Sequence, residues 1–471
     1  MNAQEIGFLP AYEMVEQIKN QEMTSLEITE TIISRIKEIN PIINAYCTPT
    51  FELAREMAAE ADNQVKQGKK LGLLHGVPLS IKDLMYTKGI RTTFGSLLYK
   101  DFIPEQDAID VQRLKKHGGI ILGKTNTPEF GYAGVTHNKL FGETKNPWNL
   151  ERTSGGSSGG AGAAVASGIS PLALGSDGGG SIRHPACFCG IYGIKPTYGR
   201  VPTYPSVGLA GHTISHHGPL TRNVKDAALM LDAMKGPHEA DKHSLPEDHI
   251  SYFNQVDQQP ENLKILFSLD LGYAKVIDPE VRKSVIESVA KFEDLGWTVD
   301  QPKLRLRPPV IAFNTLYTAM FGFDHKRDIE KSEEKMDPDF VRLAKAGMSY
   351  DALSIMKAMY KRKKFYEKVY KKLRNYDILI TPTTAIPAFE LGKMFPKQID
   401  GVGVSPTGWQ PFTFPFNLTG QPAATIPCGW SSDGLPIGMQ IVGKRFQDLL
   451  VLQVSQSFEE IAPWQNKFPS L

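Results

Sequence analysis

From about residue 71 onward, short apolar runs bounded by glycine, proline or polar turns alternate with stretches of helical character. No other feature of the chain restricts its fold so strongly. LHGVPLSIKD, GGIILGKT, SPLALGSD and YDILITPTTAIP read as buried strands, because they are short, continuously apolar and punctuated. DAIDVQRLKKHG and AALMLDAM carry helical spacing instead. Strands alternating with helices predict an α/β fold, a sheet with helices on both faces. The first seventy residues read as helical. SLEITETIISRIKEIN (25–40) sets Leu26, Ile28, Ile32, Ile33 and Ile36 near helical spacing, with Pro41 as a stop. FELAREMAAEADNQVKQG (51–68) reads as a second amphipathic helix ending at a glycine. Residues 280–297 and 340–375 are again helical and charged, and a closing helix is expected in LLVLQVSQSFEEIAP. No repeat or linker divides the chain. The expectation is one domain over 1–471: a helical wrap (1–70), a core carrying the chemistry (71–225), a helical region (226–375) and a C-terminal part of the core (376–471).

The bulk properties exclude several classes. Lysine plus arginine number 53 and aspartate plus glutamate 51, a net charge of +2, so neither nucleic acid nor anionic lipid is called for. Four cysteines in 471 residues make no disulfide framework, which points to a reducing, cytoplasmic compartment. The start, MNAQEIGFLPAYEMVEQ, shows no basic segment followed by an apolar run, so no secretory signal is expected. No stretch reaches the roughly 18 apolar residues of a membrane span.

Three motifs mislead. GGIILGKT (118–125) fits the phosphate-loop spacing, but its variable positions are a strand-like apolar run and no long helix follows. GGSSG (155–159) fits the nucleophile elbow of a Ser-His-Asp hydrolase. The residues before it, KNPWNLERTS, show no strand alternation, although histidines follow at 184, 212, 216 and 217. Cys187 and Cys189 lack a partner pair for a metal site, so buried thiols behind the serine loop are expected, with no metal and no cofactor.

Two glycine-serine clusters carry more. PLALGSDGGGSIRHP places Gly178, Gly179 and Gly180 directly before Ser181, and TSGGSSGG (153–160) lies just upstream. A serine attacking a carbonyl needs a base for its proton and preorganised donors for the oxyanion. Three residues without side chains let backbone N–H groups approach that oxygen closely. No histidine lies inside either loop except His184. A lysine can serve as the base when burial lowers its pKa, and Lys82 ends the apolar run GVPLSIKD. Pairing of Lys82 with Asp83 at the surface is the structural alternative.

The stretch 153–200, TSGGSSGGAGAAVASGISPLALGSDGGGSIRHPACFCGIYGIKPTYGR, resembles the signature of the amidase signature family of serine hydrolases. HGVPLSIKD resembles the family's lysine strand, and TNTPEFG with NPWNLERTSGGSSGG its approach to the serine loop. FPFNLTGQPAATIPCGW and GLPIGMQIVG resemble its C-terminal block. The likeness runs from about 5 to 465 and is weakest over about 235–370. It implies a central mixed sheet covered by helices on both faces. It also implies hydrolysis of a carboxylic amide through a serine–serine–lysine triad and an acyl-enzyme. Carried over, the nucleophile is Ser181, the bridging serine, preceded by a cis peptide bond, is Ser157, and the lysine is Lys82. The oxyanion donors are the N–H groups from Gly178 through Gly180 to Ser181, with Ser158, Asp177 and Arg183 in support.

The family also contains the glutamine-hydrolysing component of the tRNA-dependent amidotransferase. That component usually carries threonine where this chain has Gly178, and S-S-L-D-Q-x-G-P-x-T-R where this chain has GHTISHHGPLTR. The aspartate that holds the amino group of glutamine is matched here by Gln410. The chain therefore looks more like the stand-alone amidases, monomeric or homodimeric, acting on a small amide. A scaffold that has lost catalysis is the competitor from another class. FGYAGVT (130–136), with Tyr132 and Ala133, and the aromatics Phe313, Tyr317, Phe321 and Trp409 are candidates for the substrate pocket. Core packing is the bland reading of the same aromatics.

Overall fold

The computed structural model describes residues 1–206, 208, 209 and 213–471. Three of the apolar runs form strands buried along their whole length: Pro78–Lys82, Ile120–Thr125 and Leu172–Asp177. Covered on both faces, they have no solvent side to mark with polar residues, which explains their unbroken apolar sequence. Ile378–Pro382 is a fourth. Among the described residues the strands join in one eleven-stranded sheet. From edge to edge its order is Tyr46–Pro49, Ile120–Thr125, Pro78–Lys82, Leu172–Asp177, His216–Thr221, Tyr192–Lys195, Ala423–Trp430, Pro436–Gly443, Ile378–Pro382, Lys264–Phe267 and Thr298–Asp300. Pro78–Lys82 pairs in parallel with both of its neighbours, whereas Leu172–Asp177 and His216–Thr221 run antiparallel, so the sheet is mixed.

This topology positions the site. Ile81 is opposite Leu174 in the parallel pair, so the chain leaves both strands at the same edge. Lys82 ends one strand and Ser176–Asp177 the other. Carboxyl ends of parallel strands are where open α/β sheets bind their ligands. The small-residue helix Gly159–Ala166 packs over this region. Ala161, Val165 and Ala166 form a buried cluster with Ala173, Ile182, Ala186, Cys189 and Leu220. Among the described residues no helix is long and apolar enough to cross a membrane.

Two local expectations differ from the structure. The helix predicted over 25–40 runs from Ser25 to Ile43 with Pro41 inside it and ends at Asn44, which adopts the left-handed conformation. The missing proline N–H costs one intrahelical bond. Ile39 and Ile43 are nevertheless buried on the core-facing side, and that burial carries the helix another turn. The segment before GGSSG does hold a strand, Asn149–Thr153, paired with Lys145–Asn146 in a separate hairpin outside the main sheet.

The phosphate-like GGIILGKT is the strand Ile120–Thr125. Its Lys124 is buried, with Nζ donating to Met85 O at 2.5 Å, Thr87 Oγ1 at 2.8 Å and Thr92 Oγ1 at 3.1 Å. All four cysteines are free thiols. Cys187 and Cys189 are buried behind the serine loops, against Thr384 Oγ1 and Ser154 O respectively.

Candidate active site

The two glycine-serine loops meet. The N–H of Ser158 donates to Ser181 O at 3.1 Å, and its hydroxyl donates to Ser176 O at 3.2 Å. The Gly156–Ser157 peptide is cis. Lys82, with no exposed surface, reaches between the loops: Nζ lies 2.7 Å from Ser157 Oγ and 3.0 Å from Ser176 Oγ. Burial drives the Lys82 amine well below the usual lysine value, and the more distant Asp177 carboxylate only partly opposes this. Both of its partners are hydroxyls. A neutral amine can therefore donate one N–H to Ser176 and present its lone pair to the Ser157 hydroxyl.

Asp177 anchors the serine loop. Its Oδ1 accepts the Gly180 N–H at 2.8 Å and its Oδ2 the Ile182 N–H at 3.2 Å. Arg183 grips the same carboxylate in a fork, Nε to Oδ2 at 2.9 Å and Nη2 to Oδ1 at 2.8 Å. Its other donors reach Thr413 O, Gln440 Oε1 and Asn417 Oδ1 at 2.8, 2.6 and 2.7 Å. Every guanidinium N–H thus has an acceptor, which is what a fully buried arginine requires. Burial alone would raise the Asp177 pKa; the Arg183 charge and its hydrogen bonds outweigh it and hold the carboxyl far below the usual carboxylate range.

The three glycines have three different reasons. A side chain on Gly180, at φ +138°, would occupy the position of the His184 imidazole. A Cβ on Gly179 would come 2.8 Å from the Phe313 ring. At Gly178 only Tyr317 comes near, at 3.9 Å, so the loop is open there. Gly180 departs from its expected role, because its N–H is committed to Asp177. Among the described residues nothing accepts the N–H groups of Gly178, Gly179 and Ser181.

His184 does not serve as a base. Burial lowers its pKa to about 3, and its Nε2 pairs with Thr413 Oγ1 at 2.8 Å. His216, also pushed well below the usual value by burial, lies against Asp177 O. His212 lies outside the described residues. Among the described residues no group of histidine, cysteine and carboxylate side chains could hold a metal ion.

A cavity of about 60 Å³ opens onto Ser157, Ser176, Gly178 and Ser181, with Leu84, Phe130, Tyr317, Phe321 and His217 among its walls. Of the expected pocket residues, Phe130 and Gly131 from the start of FGYAGVT line it, together with Tyr317 and Phe321. Tyr132 is directed away, its hydroxyl donating to Asp337 Oδ1 at 3.0 Å, and Ala133 beside it is buried. Phe313 packs beneath Gly179 and against the Phe414 ring. Trp409 is buried among the rings of His184, Phe188 and Phe389, with Gly134 pressed against it. In each case apolar packing, or a hydrogen bond to a buried carboxylate, accounts for the side chain without a ligand. Two residues of the site, Ser176 and His217, carry no clear mark in the sequence. A serine near the end of an apolar strand is the only sign of the first. The second is placed by strand pairing, which the sequence does not display.

Comparison with known proteins agrees with this geometry. The Amidase family model matches residues 27–452. An acylamidase of Rhodococcus erythropolis is 37% identical over 476 residues, covering 100% of this chain and 99% of the relative. The glutamyl-tRNA(Gln) amidotransferase component that corresponds to this chain in Carboxydothermus hydrogenoformans is 36% identical over 497 residues, covering 99% of this chain and 100% of the relative. Among solved structures, a bacterial aryl acylamidase of the amidase signature enzymes superposes with a TM-score of 0.91 at 30% identity, covering 97% of each chain. The chain therefore belongs to the amidase family, with the amidase signature fold. It is a hydrolase of carboxylic amides.

Proposed function

We propose that the chain is a stand-alone amidase in which Lys82, Ser157 and Ser181 form a proton relay. One observation carries the reading: a fully buried lysine whose amine lies 2.7 Å from the Ser157 hydroxyl, with its pKa driven well down. Ser181 Oγ attacks the amide carbon. Its proton passes to Ser157 Oγ while the Ser157 proton passes to the neutral Lys82 amine. The tetrahedral oxyanion accepts N–H bonds from the open loop at Gly178, Gly179 and Ser181. The relay then runs back. Lys82 returns a proton through Ser157 to the leaving nitrogen, the C–N bond breaks, and the acyl group remains as an ester on Ser181. Water, deprotonated by the same relay, releases the acid and regenerates the serine. No step calls for a metal or organic cofactor. Four free thiols support a reducing, cytoplasmic setting.

The glutamine-hydrolysing component of an amidotransferase is the second reading, favoured by the full-length match to the Carboxydothermus relative. Gln410 in place of the amino-group aspartate speaks against it. Amine or ammonia release by the purified chain alone decides between them, measured on glutamine and on aliphatic, aryl, anilide, cyclic and amino-acid amides beside Ser181→Ala. Turnover lost in the variant supports the stand-alone amidase. No turnover on any amide removes this reading in favour of a component that needs partners.

A further inference from the structure

Among the polar residues that line the cavity outside the relay, Ser206, Ser215 and His217, the histidine alone is an imidazole held by a buried carboxylate. His217 lines the cavity together with Ser157, Ser176 and Ser181. Its place follows from the sheet: in the antiparallel pair, Ser176 is directly opposite His217. Cross-strand partners project from the same face, with Cβ atoms about 5 Å apart. His217 therefore neighbours the hydroxyl that holds the Lys82 amine. A second element fixes its ring. Asp110, in the first turn of the helix Ile109–Lys116, is buried and lies 2.6 Å from His217 Nδ1 through Oδ2. The other carboxylate oxygen of Asp110 accepts the Val111 N–H at 2.9 Å.

A carboxylate can only accept, so Nδ1 carries the proton. Whenever the ring carries that single proton, the lone pair of Nε2 is left to accept, and no protein group among the described residues takes it. The remaining walls make this group distinctive. Leu84, Phe130, Pro205 and Phe321 are apolar, the Tyr317 hydroxyl is committed to Tyr132 O at 2.9 Å, and the wall serines Ser206 and Ser215 carry hydroxyls, which can donate as well as accept. A purely apolar acyl group would leave the histidine lone pair unmatched when it displaces water, a loss that selects against it.

We infer that His217, oriented by Asp110, determines specificity by accepting a hydrogen bond from an O–H or N–H group carried by the substrate close to the scissile amide, so that compact amides bearing such a donor are preferred. The inference rests on the proposed amide site at Ser181.

Two probes of equal size separate the cases: lactamide, with a hydroxyl beside the amide, and isobutyramide, with a methyl there. The readout is the ratio of their kcat/KM values, which a general loss of structure leaves unchanged. Wild type is expected to prefer lactamide, and His217→Leu to lower the ratio about tenfold. His217→Gln, which can place a carbonyl oxygen near the former Nε2, is expected to recover part of it. Asp110→Asn donates to Nδ1 instead of accepting, which moves the ring proton to Nε2. Preference should then shift towards pyruvamide, which only accepts at that position. Equal losses on both amides in His217→Leu, or an unchanged ratio, overturn the inference.

A readout without turnover separates this from failure of the amidase reading. In Ser181→Ala, lactamide is expected to shift the His217 imidazole nitrogen resonances, and isobutyramide to leave them in place. Equal shifts with both, or none with either, overturn the inference even if wild type proves to be an amidase. Selective shifts sustain it even if neither probe is turned over.

Discussion

Two lysines on neighbouring strands differ in everything except burial. Ile81 is opposite Lys124 and Lys82 opposite Thr125 in the parallel pair, so the two lysine side chains leave the sheet on opposite faces. Neither has exposed surface. Lys124 donates to a carbonyl and two threonine hydroxyls in the turn at 85–92, and the Asp83 charge favours its ammonium form. Burial nevertheless lowers it, to about 8. Lys82 has two serine hydroxyls and only the more distant Asp177, and burial drives it well below the ordinary lysine value. Burial alone does not make a base. The neighbours decide whether a buried lysine holds a turn together or is released to take a proton. In the sequence the two sit in similar apolar runs, and the one in the phosphate-like pattern is the structural one.

The comparison can be broken by mutation. The largest effects are expected on the cavity side: Ser181→Ala and Lys82→Met should each lower kcat about 10³-fold or more. Both proteins should remain folded, because methionine matches the length of Lys82 and the two serines it faces line the cavity. A Lys82→Met enzyme within tenfold of wild type would remove Lys82 from the relay. Next comes Asp177→Asn, which strips the charge partner from a fully buried arginine. A loss of about 3 to 5 kcal/mol in denaturant unfolding is expected, with activity falling because the serine loop loses its anchor. On the other face, Lys124→Met should cost about 2 to 4 kcal/mol by leaving buried acceptors unmatched, while kcat/KM per folded molecule stays within a few-fold. Lost activity with unchanged stability would reverse the roles of the two lysines. The smallest effect is expected for Ser176→Ala, which removes one of the two partners of the Lys82 amine and should lower kcat/KM about tenfold.

The same contrast explains how much of the molecule is legible in its sequence. Local chemistry singles out Ser181, a serine after three glycines, and offers Lys82 as a lysine closing an apolar run, whereas Ser157 and the joining of the three into one relay come from the resemblance to the amidase signature family. The support of Asp177 by Arg183 is likewise implied by the resemblance, and the structure pairs the two across six positions. Thr413, Asn417 and Gln440 come from the far end of the chain to complete the arginine, and nothing local marks them. His217 depends on strand pairing with Ser176, and register across an antiparallel pair is not written in either strand alone. Tyr132 and Trp409 look like pocket residues because aromatics suit both pockets and cores. The carboxylate of Asp337, about two hundred positions away, settles the direction of Tyr132. Pro41 looks like a helix end because its missing N–H is local, whereas the burial of Ile43 that outweighs it is tertiary.

The proposed base must be neutral to work. Its folded pKa is lowered, so activity is present above that pKa and is lost as the pH falls through it and Nζ takes up a proton. The most direct test is an NMR titration of the Lys82 side chain in protein labelled at lysine, assigned by the loss of its signal in Lys82→Met. A neutral amine at pH about 7, protonated only as the solution is made more acidic and in step with the fall in kcat/KM, is the predicted result. An ammonium that persists at neutral pH and titrates near the ordinary lysine value of about 10.4 would contradict the relay.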